Sequence, residues 1–261
     1  VSLLAYFLLA GIIFREARML SKGRKGADFL ALVVTIIAMI GSHIPILVFI
    51  DREIYFGYIG INAYNNATSN YLKPFALAAF LFISKSYDSE QKVSKYHIFI
   101  TAALVFVSTL VKPSFIICIL PAAILLSCLR LRYHQATNWK MILGGLVLPS
   151  IITLGFQFIL NYGQGTSRII FLPLGVKKYY SDEIILKFIF SILFPLLVAR
   201  AHFQSICKDP KLSLAWISFL IGSFYAYFLA ENSGGGLLHG NFDWSSEITL
   251  FILYVVSLLY F

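Results

Sequence analysis

"MILGGLVLPSIITLGFQFILNY", residues 141–162, runs for 22 positions without one Asp, Glu, Lys or Arg. A helix of that length reaches about 33 Å, enough to cross the roughly 30 Å hydrocarbon core of a bilayer. Similar runs recur along the whole chain. Only 13% of its 261 residues are charged and its mean hydropathy is +0.82, whereas soluble domains carry about 25% charged residues. The chain reads as lipid-solvated.

Nine apolar segments can be drawn, at 1–14, 29–50, 74–84, 97–111, 114–129, 141–162, 184–199, 213–230 and 247–261. The expected architecture is all-α: a polytopic transmembrane helical bundle of about nine visible spans. Several are short, notably 74–84 and the pair 97–111 and 114–129 around Lys112-Pro113. A run that short either extends into its flanks or is re-entrant, leaving polar backbone to line a cavity. No soluble module, low-complexity tract or strong repeat divides the chain, so 1–261 is read as one transmembrane domain. Val1 and Phe261 both lie inside apolar runs, so the sequence is expected to be a fragment truncated at both ends. Cys118, Cys128 and Cys207 form no close-spaced metal pattern and no disulfide framework.

The charges are distributed unevenly. Loops 15–28, 85–96, 130–140 and 200–212 hold 14 of the 21 Lys and Arg against five of the 12 acids. The remaining seven bases and seven acids balance on the opposite side. The net charge of +9 therefore belongs to one face. That is the positive-inside bias, which places the basic loops in the cytoplasm and attracts them to anionic headgroups. Short basic loops separated by spans do not make a nucleic-acid surface, and none is expected as a partner.

The opposite, outer face carries the residues with chemical potential. "Lys-Pro" occurs there twice, at Lys73-Pro74 and Lys112-Pro113, each before a run heading back into the membrane. Proline is preorganised for a helix's first turn, where the dipole and free N–H groups favour anions. Two such lysines, with Arg168, make candidate phosphate-binding groups; snorkelling to the headgroups is the plain alternative. Tyrosines in the 51–74 loop fit an interfacial belt, and "NAT" at Asn66 matches a glycosylation acceptor. "ENSGGGLLHGNFDW", residues 231–244, sets Glu231, His239 and Asp243 around three glycines between two apolar runs. These are candidate catalytic groups, as general bases or hydroxyl acceptors. A solvated hairpin with a Trp anchor is the alternative. His239 and Asp243 have no third ligand at a metal spacing, so no metal site and no cofactor are expected, and a divalent ion has no support from spacing.

In its many spans, its outer loops, "NNATSNYLKPF" before a short span and "ENSGGGLLHGNFDW" before the last, the chain resembles bacterial envelope-polysaccharide membrane proteins. The resemblance is to GT-C-type glycosyltransferases and related lipid-linked sugar polymerases. It implies a multi-pass protein of the bacterial inner (plasma) membrane, acting in cell-envelope polysaccharide or glycolipid synthesis. The donor it implies is a polyprenyl-phosphate-linked sugar, its phosphate held by Lys73, Lys112 or Arg168. Glu231 or Asp243 would then activate an acceptor, with inversion at the anomeric carbon. Implied partners are membrane lipids, the lipid-linked sugar and other envelope-biosynthesis proteins. The acid that such enzymes carry in their first outer loop would lie upstream of Val1; Asp51 and Glu53 replace it only under a different loop numbering. Two other readings stay open: a transporter or flippase of a lipid-linked glycan or other anion, and a non-catalytic subunit of an envelope assembly. A transporter would place ionisable groups near the membrane midplane, whereas only His43 lies clearly inside a span here.

The charge bias makes a direct prediction. In intact cells an impermeant thiol reagent should modify a cysteine introduced at Ser233 and spare Cys207. The reverse labelling would invert the orientation.

Overall fold

The computed structural model describes residues 2–54, 56–61, 66–88, 93–162, 168–232 and 240–260. Two helices, α1 (Ser2–Leu20) and α2 (Ala27–Ile40), lead to a single helical turn, α3 (Val48–Asp51). Three long helices follow, α4 (Ala67–Ser84), α5 (Lys95–Val111) and α6 (Ile116–Arg132). α7 (Trp139–Met141) then continues through a π-helical stretch, Ile142–Val147, into α8 (Leu148–Tyr162). The last part contains β1 (Arg168–Phe171), α9 (Gly175–Tyr180), α10 (Ile184–Ala201), α11 (Phe203–Lys208), α12 (Pro210–Phe228), β2 (Leu229–Asn232) and α13 (Asp243–Tyr260).

Each of the nine expected segments overlaps a helix. Four helices, Trp139–Leu160, Ile184–Ala201, Pro210–Phe228 and Asp243–Tyr260, are long and apolar enough to cross a membrane. Ala27–Ile40 and Lys95–Val111 are apolar but shorter. Polar side chains set several boundaries. Asn66 accepts a hydrogen bond from the Ser69 N–H (3.1 Å), and Asp209 caps α12 through the N–H groups of Lys211 and Leu212, with Pro210 in the first turn. Such caps satisfy amides that have no partner inside the helix.

Three features depart from the sequence reading. The short 74–84 run is the inner part of a helix that begins at Ala67, so Pro74 lies inside α4 and Lys73-Pro74 is not a helix N-terminus. The Asn66 cap, in the stretch read as a glycosylation acceptor, outcompetes the proline as the start signal. The 29–50 run breaks after Ile40, and residues 41–47 are non-helical. Polar groups there find protein partners: His43 Nε2 pairs with the Ile54 carbonyl (2.6 Å), and the Leu47 N–H donates to the Tyr58 hydroxyl (3.2 Å). Finally, the all-α expectation meets a small exception, because β1 and β2 pair antiparallel with Arg168 opposite Asn232 and Phe171 opposite Leu229.

The core centres on α12 and α13. Ser245, Ser246, Thr249 and Ser257 of α13 are buried, and so are Ala215, Ser218 and Gly222 of α12. Small residues let two helices approach closely where lipid gives no hydrophobic push between them. A Cβ on Gly222 would come within 2.7 Å of the Ser245 carbonyl oxygen, so glycine is what this crossing tolerates. Outward faces are apolar, as on α8, where Ile151, Phe156 and Ile159 are all exposed.

Polar contacts gather at the two ends of the long helices. One end holds Arg18–Asp28 (2.7 Å), Lys211–Glu16 (3.8 Å) and Arg130, whose guanidinium donates to the Tyr87 and Ala136 carbonyls. The other end, reached after one helix length, gathers the lysines and acids described next.

Candidate functional site

α13 begins with Asp243, Trp244 and, one turn on, Glu247. Acids are favoured at a helix N-terminus by its dipole. Three lysines from three other elements meet them there. Lys177 of α9 forms an ion pair with Asp243 (Nζ–Oδ1 3.0 Å) and lies 5.2 Å from the Tyr227 ring centre. Its side chain is only 5% exposed, against 24% for Asp243. Lys112, directly after α5, donates to the Ser69 hydroxyl (3.2 Å) and sits 3.6 Å above the Trp244 ring centre. Lys73, buried in α4, is 5.2 Å from the Phe251 ring. Lys73, Ser69, Trp244, Glu247, Ile61 and Leu72 line one cleft with a volume of about 10 Å³, room for roughly one water. Glu247 lies within electrostatic reach of Lys177, Lys112, Lys73 and Asp243. Three cations facing two carboxylates leave the cluster with an excess of positive charge. Burial pushes Lys112 down to about 8, partly offset by the Glu247 carboxylate.

Several residues named from the sequence converge here: Asp243, Lys73 and Lys112. Lys112-Pro113 directly precedes the turn that opens α6, and the Pro113 carbonyl accepts from the Ile117 N–H (3.0 Å). Glu231 instead lies on the β ribbon, accepting a hydrogen bond from Asn241 (2.6 Å). Arg168 is exposed at the start of β1. His239 and Gly234 to Gly236 lie outside the described residues. Among the described residues no group of three His, Cys, Asp or Glu could hold a metal ion.

Sequence reasoning missed Glu247 and Lys177 as site residues. A signal for Glu247 was present, since Asp243 and Glu247 are four apart and share a helix face. Nothing in "VKKYY" distinguishes buried Lys177 from its exposed neighbour Lys178.

A second ion pair builds the wall of the cleft. Lys187 of α10 is fully buried, pairs with Asp51 and donates to the Phe56 carbonyl (2.8 Å). The Ile59 N–H donates to Ser191 (2.9 Å), and Tyr58 stacks on His43 with ring centres 4.6 Å apart. Gly57 adopts φ +87° against the Lys187 chain, where a side chain would strain the backbone and collide. Segment 56–61 is thereby pinned, and Ile61 lines the cleft. The hydrogen bond from the Lys187 ammonium, with one from the Glu53 N–H, holds the Asp51 carboxyl below the usual carboxylate range.

No protein-family model matches the chain, and neither does any curated protein or solved structure.

The burial asymmetry of this second pair predicts an asymmetric mutational response. Asp51 is 23% exposed and can regain water, whereas the Lys187 side chain is 1% exposed. Asp51→Ala strands a buried charge and should cost up to about 3 kcal/mol; Lys187→Met should cost clearly less. Thermal unfolding of the purified variants in detergent measures both, and equal losses would contradict the account.

Proposed function

We propose that this chain is a polytopic protein of the bacterial inner membrane that transfers a sugar from a polyprenyl-phosphate carrier at the outer face. Its nine helical segments would cross the bilayer with the basic loops in the cytoplasm. The observation that carries the reading is the convergence of Lys73, Lys112 and Lys177 on two carboxylates at the N-terminus of α13. An excess of partly buried positive charge suits a phosphate or pyrophosphate, which gains most from charge-assisted hydrogen bonds. A carboxylate beside that charge supplies a base. The GT-C-like resemblance noted in the outer loops points to the same chemistry.

In this mechanism Glu247, which opens on the cleft, takes the proton from an acceptor hydroxyl. The hydroxyl oxygen attacks the anomeric carbon. The bond between that carbon and the phosphate oxygen breaks, and its electron pair leaves on the polyprenyl phosphate. The lysines stabilise the growing negative charge there, and in-line displacement inverts the anomeric centre. Asp243, tied to Lys177, holds that lysine in place. Arg168, Glu231 and His239 belong to the two segments flanking the site and are assigned to acceptor contact.

The test is transfer of a radiolabelled sugar from a polyprenyl-phosphate donor by the purified chain in proteoliposomes. Glu247→Gln should lower the rate by about 10²-fold or more. Lys73→Gln with Lys112→Gln should weaken donor binding by about ten- to hundredfold. Because Lys112 is held at about 8, its positive charge is present below that pH and lost above it. Donor affinity should therefore fall between pH 7 and 9, and Lys112→Gln should flatten that fall. Movement of the donor between leaflets with no new glycosidic bond would replace this reading by a transporter. Unchanged rates in Glu247→Gln would overturn the assignment of the base.

A further inference from the structure

Beside the lysine cluster, between α10 and α12, lies an open groove of about 360 Å³. Ile184, Phe188, Leu220, Phe224 and Phe228 give it an apolar lining, and both bordering helices are long and apolar enough to cross a membrane. Its volume is at the low end of the roughly 300–1,000 Å³ typical of ligand cavities. From Phe228 to Leu220 the groove follows α12 for about 12 Å.

Two hydroxyls interrupt this apolar surface. Ser223 and Tyr227 line the groove, each 8% exposed, and neither has a hydrogen-bond partner among the described residues. They lie four residues apart, on one face of α12. Leaving a buried hydroxyl unpaired costs about 1–3 kcal/mol, so two in one cavity point to an occupant with oxygen atoms at that end. Tyr227 is also the joint with the charged site, because the Lys177 ammonium lies 5.2 Å from its ring. Leu174, in the groove wall, donates its N–H to the Tyr227 carbonyl (2.6 Å) and leads directly into the helix that carries Lys177.

We infer that the groove holds the hydrocarbon chain of a single-chain lipid phosphate ester, entering sideways from the bilayer. Its phosphate reaches Lys177, its ester end meets the hydroxyls of Tyr227 and Ser223, and its chain lies along Phe188, Leu220 and Phe224. A neutral hydrocarbon would leave both hydroxyls unpaired, and a water-soluble anion would leave the apolar wall uncovered. The inference rests on the reading of the lysine cluster as a phosphate site, and names where the carrier's lipid arm lies.

The test uses the full chain in phosphatidylcholine nanodiscs with decyl phosphate bearing a diazirine at the chain terminus. Irradiation should label Phe188, Leu220 and Phe224 above the outward residues Ile151 and Phe156 of α8. Excess unmodified decyl phosphate should displace the label about tenfold better than decanol, as a charge-assisted contact requires. Ser223→Trp or Leu220→Trp, each filling the groove, should abolish the excess labelling. Equal labelling of α8, insensitivity to both tryptophans, or equal competition by phosphatidylglycerol would overturn the inference, since ordinary bilayer lipid would then explain the signal. Groove labelling without sugar transfer would keep this inference and remove the enzymatic reading; transfer without groove labelling would do the reverse.

Discussion

A lysine ammonium taken out of water into an apolar helix bundle must find a carboxylate, and two such pairs fix one end of this protein. Lys177 with Asp243 ties α9, and through it the β ribbon, to the start of α13. Lys187 with Asp51 ties the non-helical 41–61 region to α10. Desolvation makes each pair costly to build and costlier to break by removing one partner. The chain segments between the long helices are thereby held in register around one point, and Lys73 and Lys112 are brought to the same point from α4 and α5.

That arrangement gives the site its chemical character. The enclosed cleft is too small for a sugar, but it adjoins the ribbon on one side and an apolar groove on the other. Charge is concentrated, partly buried and in cationic excess. The match is to a ligand with a compact anionic part and a hydrocarbon part, presented from the membrane. Lys112 sits where both demands meet, over an indole face and within reach of a hydroxyl. A cation held against an aromatic ring keeps part of its stabilisation without water, and it remains available to a phosphate.

The helices were legible in the sequence because lipid as solvent removes ambiguity: uncharged runs such as 141–162 have few other uses. Lys73, Lys112 and Asp243 were also legible, as polar residues at the ends of such runs. Start points were less so. Asn66 reads as an acceptor for glycosylation or as a helix cap from the same three letters, and only backbone geometry separates the two. The break after Ile40 was hidden because residues 42–47 are as apolar as a helix, and their polar backbone is satisfied by Tyr58 and other distant partners. Glu247 was taken as one more boundary charge, since its neighbours come from residues far away in sequence. Lys187 was visible as an oddity inside an apolar run, but its partner Asp51 is more than a hundred positions away. The β ribbon joins residues 168–171 to 229–232, and no local pattern announces a pairing at that separation.

The central claim is that Lys112 and Glu247 act as one site toward a phosphate-bearing ligand. A double-mutant cycle tests it: decyl phosphate binding to the parent, Lys112→Gln, Glu247→Gln and the double variant, in nanodiscs at pH 7. Groups in one network show coupling of about 0.5–3 kcal/mol, whereas independent sites add to within about 0.5 kcal/mol. The account predicts coupling of about 1 kcal/mol or more, with Glu247→Gln alone strengthening phosphate binding by removing a competing anion. Strict additivity, with no effect of Glu247→Gln on binding, would contradict it.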